Sequence, residues 1–464
     1  MAIVQKQLFD WKQLDGLGEL ERLQLVLQYM PDEALMRHLE EERGKGRDKY
    51  PVRAMWNSIL AGIVFGHPSI ESLRRDLKRN PVVRELCGFG VEGVPEAWVY
   101  TRFLRKLMKH EEEIQGMFDE LVEAPRKVLP GFGETIWGDG KIIEAHGRPR
   151  KEGEGEVARD GRRELDADWV VYRSREKKEP GEEGKGEGKG KGRVKGKGKA
   201  EEGEGTLWER VTYKFGFKVH MLVEANYELP IAFEVTPASA PEIKEVHKLL
   251  DEVNERHPEV VEACEYFVYD KAADETELLV ELWEDHGIKP VIPVRDLWEG
   301  DKTRVVKGQV DVVYSEGGEV SCYPRAKQQT TEAEPCRMAY GGLEADRGTL
   351  KYRCPAKAYG IECVRKDRCG VKGAIRIRLA EDRRVFVPLP RSSYAWERVY
   401  RKRTASERVN SRLDRVFGFE EHFILGRKKM KLRVGLALLV MLAMALGRVK
   451  ESQAEKLRSL VQAA

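Results

Sequence analysis

Three acidic residues, far apart in the chain, stand where a carboxylate can do chemistry. Asp139 sits inside an apolar stretch between two small residues, Gly138 and Gly140. Asp270 closes the hydrophobic run Tyr266-Phe-Val-Tyr269, and Glu407 lies in a segment crowded with arginine. Hard divalent cations take oxygen ligands and keep several waters, which leaves places for phosphate oxygens. Two such ions about 3.5–4 Å apart activate an attacking oxygen and stabilise a leaving one in phosphoryl displacement. The plainer alternative is that Asp139 and Asp270 are ordinary strand-end acids and that Glu407 offsets Arg403 and Arg408 by surface pairing, which is worth little.

The elements that must position these acids read as an α/β unit. Residues 134–145, 213–224 and 229–236 carry strand-type runs, the last two joined by Ala225-Asn226-Tyr227-Glu228. An amphipathic helix follows, with Ile243, Val246, Leu249, Leu250 and Val253 on one face. Then come an apolar strand over 263–269, a helix over 275–286 and a strand over 289–294. The order β-β-β-α-β-α-β predicts a mixed sheet, three antiparallel strands and then parallel ones, with helices over it. If the fourth strand pairs beside the first, Asp139 and Asp270 become neighbours.

Around this unit the texture changes. Residues 1–127 read as an all-helical N-terminal domain, with Ser69 as a cap and Pro51 as a helix start. Its segment 96–107 mixes Trp98, Tyr100 and Phe103 with Arg102, Arg105 and Lys106, a basic face suited to DNA. The catalytic core occupies 128–294 and carries an insertion over 150–206. Within it, 173–205 is almost all Gly, Glu, Lys and Arg, a composition expected of a flexible loop. Residues 295–391 form a β-rich insertion with Cys322, Cys336, Cys354, Cys363 and Cys369; four thiolates there would suit a structural Zn²⁺. Residues 392–464 return to helix and complete the core.

Eighty-two Lys and Arg against 79 Asp and Glu leave a net charge of +3, so nucleic-acid binding must come from local basic patches rather than bulk charge. The runs 398–415 and 426–433 are the candidates. Hydrophobic residues at 41% exclude a disordered chain, and the apolar run 434–446 is too short to span a bilayer, so no membrane partner is expected. Seven cysteines, an odd number, and an opening segment without an apolar stretch predict a reducing cytoplasm and no disulfide framework.

The chain resembles bacterial insertion-sequence transposases of the DDE type over most of its length. The words that carry the likeness are Tyr50-Pro-Val-Arg-Ala-Met55, Ser69-Ile-Glu-Ser-Leu-Arg-Arg-Asp-Leu77, Gly138-Asp139-Gly140, Gly216-Phe-Lys-Val-His220, Val235-Thr-Pro237, Asp270-Lys-Ala-Ala-Asp274 and Tyr400-Arg-Lys-Arg-Thr-Ala-Ser-Glu407. The resemblance implies an RNase H-like catalytic domain in which Asp139, Asp270 and Glu407 hold two Mg²⁺ or Mn²⁺ ions. It also implies that Tyr400 and Arg403 contact phosphate near the reacting end, with Arg408, Arg412 and Arg415 adding positive charge. The family's block ends in a Lys, and this chain has Asp414 there; it also has Ala272-Ala273 where the family often has Gly-Tyr.

The implied activity is cleavage at terminal inverted repeats and attack of the freed 3′-hydroxyl on target DNA. Double-stranded DNA is then the partner, a homodimer the working form in the DNA complex, and the nucleoid the place. Two other readings remain beside it: a domesticated DNA-binding protein without catalysis, and an RNase H-like nuclease without strand transfer.

Overall fold

The computed structural model describes residues 19–44, 49–90, 93–150, 163–177, 207–309, 311–323, 335–360, 363, 369, 371 and 373–457. The chain begins with helices α1 (Glu19–Tyr29), α2 (Glu33–Arg43), α3 (Val52–Val64), α4 (Ile70–Arg79), α5 (Pro81–Leu86), α6 (Ala97–Leu107) and α7 (Glu111–Arg126). Capping sets several of their starts. Ser69 Oγ accepts the Ser72 amide at 3.1 Å at the head of α4, and Asn80 caps α5, whose first residue is Pro81. Nearly every side chain of α3 is buried, because other helices surround it.

The sheet begins with β1 (Thr135–Glu144), β2 (Asp168–Lys177), β3 (Leu207–Glu224) and β4 (Leu229–Pro237). After them come α8 (Glu242–Arg256), α9 (Pro258–Ala263), β5 (Tyr266–Val268), α10 (Thr276–Glu284) and β6 (Lys289–Val291). β3 is antiparallel to β1, β2 and β4, whereas β1, β5 and β6 run parallel to one another. The mixed sheet expected from the strand order is therefore present.

Two details differ from expectation. The apolar run 263–269 divides between the end of α9 and a three-residue strand, since Pro258 starts a helix that runs to Ala263. Residues 173–177, expected to begin a flexible loop, belong instead to a strand, because 168–177 pair residue by residue with 207–216 and lengthen β3. Charged residues do not prevent a two-stranded ribbon when backbone pairing and alternation are kept. Most of 150–206 lies outside the described residues. At Gly216 the pairing of β3 passes from β2 to β4, and a side chain there would run into the Ile143 carbonyl.

The cysteine-bearing segment is β-rich, as expected. It holds β7 (Thr303–Val305), β8 (Val312–Ser315), β9 (Val320–Cys322) and β10 (Cys336–Arg337) in one sheet, and β11 (Ala339–Glu344), β12 (Thr349–Arg353) and β13 (Ala374–Arg378) in another, with α11 (Pro355–Tyr359) between the last two strands. Tyr314, Leu350, Tyr352, Ile377 and Phe386 belong to a core of its own. It is tied to the mixed sheet through Asp274, whose buried carboxylate accepts the Arg295 amide at 2.8 Å and the Arg384 guanidinium at 2.8 Å.

The chain then forms α12 (Tyr394–Tyr400), α13 (Thr404–Ser411), a π-helical turn over Arg412–Val416, and α14 (Arg427–Lys450). α14 is long and apolar enough to cross a membrane, but here it is buried and packs on α1, α3, α7 and β4. Its glycines, poor helix formers, are explained by close approach: a Cβ on Gly435 would stand 2.9 Å from the Phe233 ring, and one on Gly447 would stand 2.8 Å from the Tyr29 ring. The N-terminal helices and the sheet consequently share one hydrophobic core.

Glu224, at the end of β3, is fully buried; one carboxylate oxygen accepts the Tyr227 amide at 2.6 Å and the other has no protein partner. Burial pushes its pKa up to about 7, against the pull of its backbone hydrogen bonds and of Lys402. A raised acid contributes stability that is complete below its unfolded pKa, near 4.5, and is lost as pH rises through 7. Urea unfolding is therefore expected to show a loss on the order of 3 kcal/mol between pH 5 and pH 8 from this group, and Glu224→Gln should flatten that part of the profile.

Candidate metal-binding acidic site

β1 and β5 pair in parallel at Thr135 with Tyr266, Ile136 with Phe267 and Trp137 with Val268. Two residues beyond the last pair stand Asp139 and Asp270, level with each other where β5 has ended and β1 continues. Asp139 Oδ1 accepts the Gly140 amide at 2.8 Å, and Oδ2 accepts Asn410 Nδ2 at 2.7 Å. Asp270 Oδ1 takes the Ala272 amide at 2.7 Å, which turns the chain directly after the strand. Burial raises the Asp139 pKa, and the charge of Asp270 adds to that rise while the Asn410 and Gly140 bonds oppose it. Two carboxylates held this close favour a cation between them.

Glycine makes the crowding possible. A Cβ on Gly138 would fall within the Tyr269 ring, so the Gly138 backbone lets that ring lie flat under β1. On the opposite face Trp137, Val268, Val291, Leu389 and Val399 form an apolar cluster against which Trp396 and Tyr400 pack. The Tyr400 ring stacks on Trp396 at 4.7 Å and meets Trp137 at 6.0 Å. This cluster fixes α12, and through it α13, along β1.

Glu407 and Asn410 are three residues apart on α13 and share a face of it. Asn410 reaches Asp139, whereas the Glu407 carboxylate is turned outward, exposed, and paired with Arg403 at 3.0 Å. Arg403 in turn is held charged by Tyr400 first and Glu407 second. The structure thus brings Asp139 and Asp270 together and leaves Glu407 one helical turn from Asn410, bound to the arginine of its own block.

Sequence reasoning missed Asn410 and Lys141. Lys141 Nζ meets Asp414 Oδ2 at 2.6 Å, so a lysine two residues after Asp139 stands against the position where the related block carries its own. Only the alternation of β1, which puts 139 and 141 on one side, hinted at this.

The remaining cations divide. Arg412 is a correction: its guanidinium is buried and held by Glu228, a residue in the left-handed turn between β3 and β4, so it faces the interior rather than phosphate. Arg408 also reaches Glu228 but is largely exposed, and Arg415 is exposed. In the N-terminal part, Arg102 is exposed over the Trp98 ring at 5.5 Å and Arg105 is exposed, whereas Lys106 pairs with Glu42 at 3.7 Å. In the run 426–433, Arg433 is turned inward and donates to the carbonyls of His67 and Phe417, each at 3.2 Å.

Cys336 stands directly opposite Cys322 on paired strands. The Cys322 thiol is pushed up to about 11, first by burial and then by Cys336, Cys354, Cys369 and Cys363, so the five gather in one region. Cys369 Sγ accepts the Val371 amide at 3.4 Å. Among the described residues no three of these thiols lie within 4.8 Å of one another; His38, His110 and Glu113 do form so close a group.

The oxygen donors of the acidic site suit a hard divalent cation. Asn410 Oδ1, on the side chain that holds Asp139, is buried with no protein partner among the described residues, an acceptor of the type such a cation takes. A family model described as a transposase DDE domain matches residues 136–443, and a second, described as a transposase domain, matches residues 10–106. A search of curated proteins finds no match.

Removing one partner of a buried ion pair costs about 3–5 kcal/mol, because the other charge is left without compensation. Arg412→Ala, which leaves Glu228 only the largely exposed Arg408, is accordingly expected to lower stability by up to that order in urea unfolding, whereas Arg415→Ala should leave it unchanged within about 0.5 kcal/mol.

Proposed function

Because the chain belongs to the insertion-sequence transposases of the DDE type, whose catalytic domain is RNase H-like, we propose that it cuts DNA at the terminal inverted repeats of a mobile element and joins the 3′-hydroxyl ends to target DNA. The observation that carries this reading is the level, electrostatically coupled pair Asp139 and Asp270 at the end of two parallel strands. The family works with divalent metal ions, and Mg²⁺ or Mn²⁺ is the fitting choice for oxygen ligands.

Asp139 and Asp270 would hold such ions, with Glu407 joining them once it leaves Arg403, a change of side-chain rotamer on a helix already fixed beside β1. When bound, the ions supply the charge stabilisation that phosphoryl displacement requires. The other roles belong to this chain's side chains. Asn410 Nδ2 keeps Asp139 in one orientation. Arg403, freed of Glu407, turns a planar donor fork toward phosphate. Phosphate arrival and the release of Glu407 are in this way coupled through one guanidinium.

The exposed Arg102 and Arg105 on α6, together with Arg408 and Arg415, form the DNA-facing cations of the reading. Phosphate contacts of this kind position the duplex, and base-edge contacts are needed for sequence choice. Bringing two element ends together calls for two copies of the chain in the working complex.

In the β-rich segment we place a structural Zn²⁺ on four of the five gathered cysteines; closing on the ion would draw Cys322 and Cys336 toward the 354–369 stretch. Metal analysis of the purified chain is expected to give about one zinc, and a zinc-free, folded preparation would retire this part.

For the main reading, Asp139→Asn should lower Mg²⁺-dependent cleavage at the flanking inverted repeats by on the order of 10²–10³-fold or more, with repeat binding kept. Binding by the unsubstituted chain without any cleavage would instead indicate a DNA-binding protein, and cleavage without joined products a nuclease.

A further inference from the structure

A carboxylate that the sequence pattern did not single out shares the space of Asp139 and Asp270. Glu242 is the first residue of α8, and its carboxylate lies against β1: a Cβ on Gly140 would stand 3.0 Å from its carboxyl carbon and 3.1 Å and 3.3 Å from the two oxygens. Gly140 is thus small because Glu242 comes in beside Asp139. The negative charges of both Asp270 and Asp139 bear on Glu242.

A second group points into the same space. The Tyr269 side chain is 1% exposed, and its hydroxyl has no protein partner among the described residues. The charges acting on that hydroxyl are those of Glu242, Asp139 and Asp270. A buried hydroxyl without a protein partner among the described residues, at the acidic end of β1, marks a place where a polar or charged ligand belongs.

Lys218 supplies the one cation packed against Glu242. Its side chain is 6% exposed, and it donates to Glu242 Oε1 at 3.1 Å and to the Ala240 carbonyl at 3.2 Å. Three carboxyl groups against one ammonium make the end of β1 rich in oxygen ligands of the kind a hard divalent cation takes.

We propose that Glu242 is a fourth acidic residue of the ion site, holding a divalent cation together with Asp139 and Asp270, with Lys218 as the fixed counter-charge that places its carboxylate. This rests on the metal-dependent reading of that site. Glu242 approaches from α8 on one face of the sheet and Asp139 is held from α13 on the other, so the ion sits at the open edge of β1 beyond the end of β5.

The test is Mn²⁺ binding to the full chain, followed by electron paramagnetic resonance, with folding checked by circular dichroism. Glu242→Gln is expected to weaken Mn²⁺ binding by about 10-fold or more, as Asp139→Asn and Asp270→Asn should. Unchanged binding in Glu242→Gln alongside a loss in the two Asp variants overturns the fourth acid and leaves the site reading in place. Unchanged binding in all three ends both.

If Glu242→Gln does not fold, the paired variant Lys218→Met with Glu242→Gln removes the buried ion pair as a unit. A further loss of about 10-fold or more in that pair supports a metal-holding role. Affinity equal to that of the unsubstituted chain means that Glu242 did no more than neutralise Lys218, and the proposal falls.

Discussion

Parallel pairing of β1 with β5 is the constraint on which the site depends. A one-residue slip would turn Asp139 to the other face of the sheet and separate it from Asp270. The register is held from both sides: the Tyr269 ring fills the space left by Gly138, and the Trp137 cluster seats α12. Packing of apolar groups thus brings like charges together, at an electrostatic cost that the buried core offsets. The site stores repulsion that a cation relieves.

Much of this was legible in the sequence. The strand runs, the helix between them and the position of Asp139 between glycines sufficed to place two acids on neighbouring strands, because alternation and chain direction leave few topologies. The side chains that lock those acids were not legible. Asn410 sits amid charged residues that draw more attention, and Glu242 has the sequence surroundings of any helix start, where an acid is favoured by the helix dipole alone. Arg412 was misread for the opposite reason. Its neighbours suggest a basic face, yet its burial is decided by Glu228, some 180 residues earlier, in a turn whose conformation no local pattern announces.

Asp274 shows how the β-rich segment joins the site without touching it. Four residues after Asp270, its carboxylate holds Arg384 and the Arg295 amide, the two ends of the inserted stretch. The insertion therefore leaves and re-enters the core at one anchored point, and the path from Asp270 to α12 stays short whatever the segment carries. From the sequence, Asp274 was merely the last letter of a familiar word.

α14 closes the fold against helices that emerge from the ribosome between about three hundred and four hundred residues before it. Until translation is nearly finished, α1, α3 and α7 have only one another and their neighbouring helices to pack on, and β4 lacks one of the helices that cover it. A messenger cut short before α14 would yield a chain in which the apolar faces that α14 covers stay open to water. The order of synthesis thus makes completion of the shared core wait for one of the last elements of the chain.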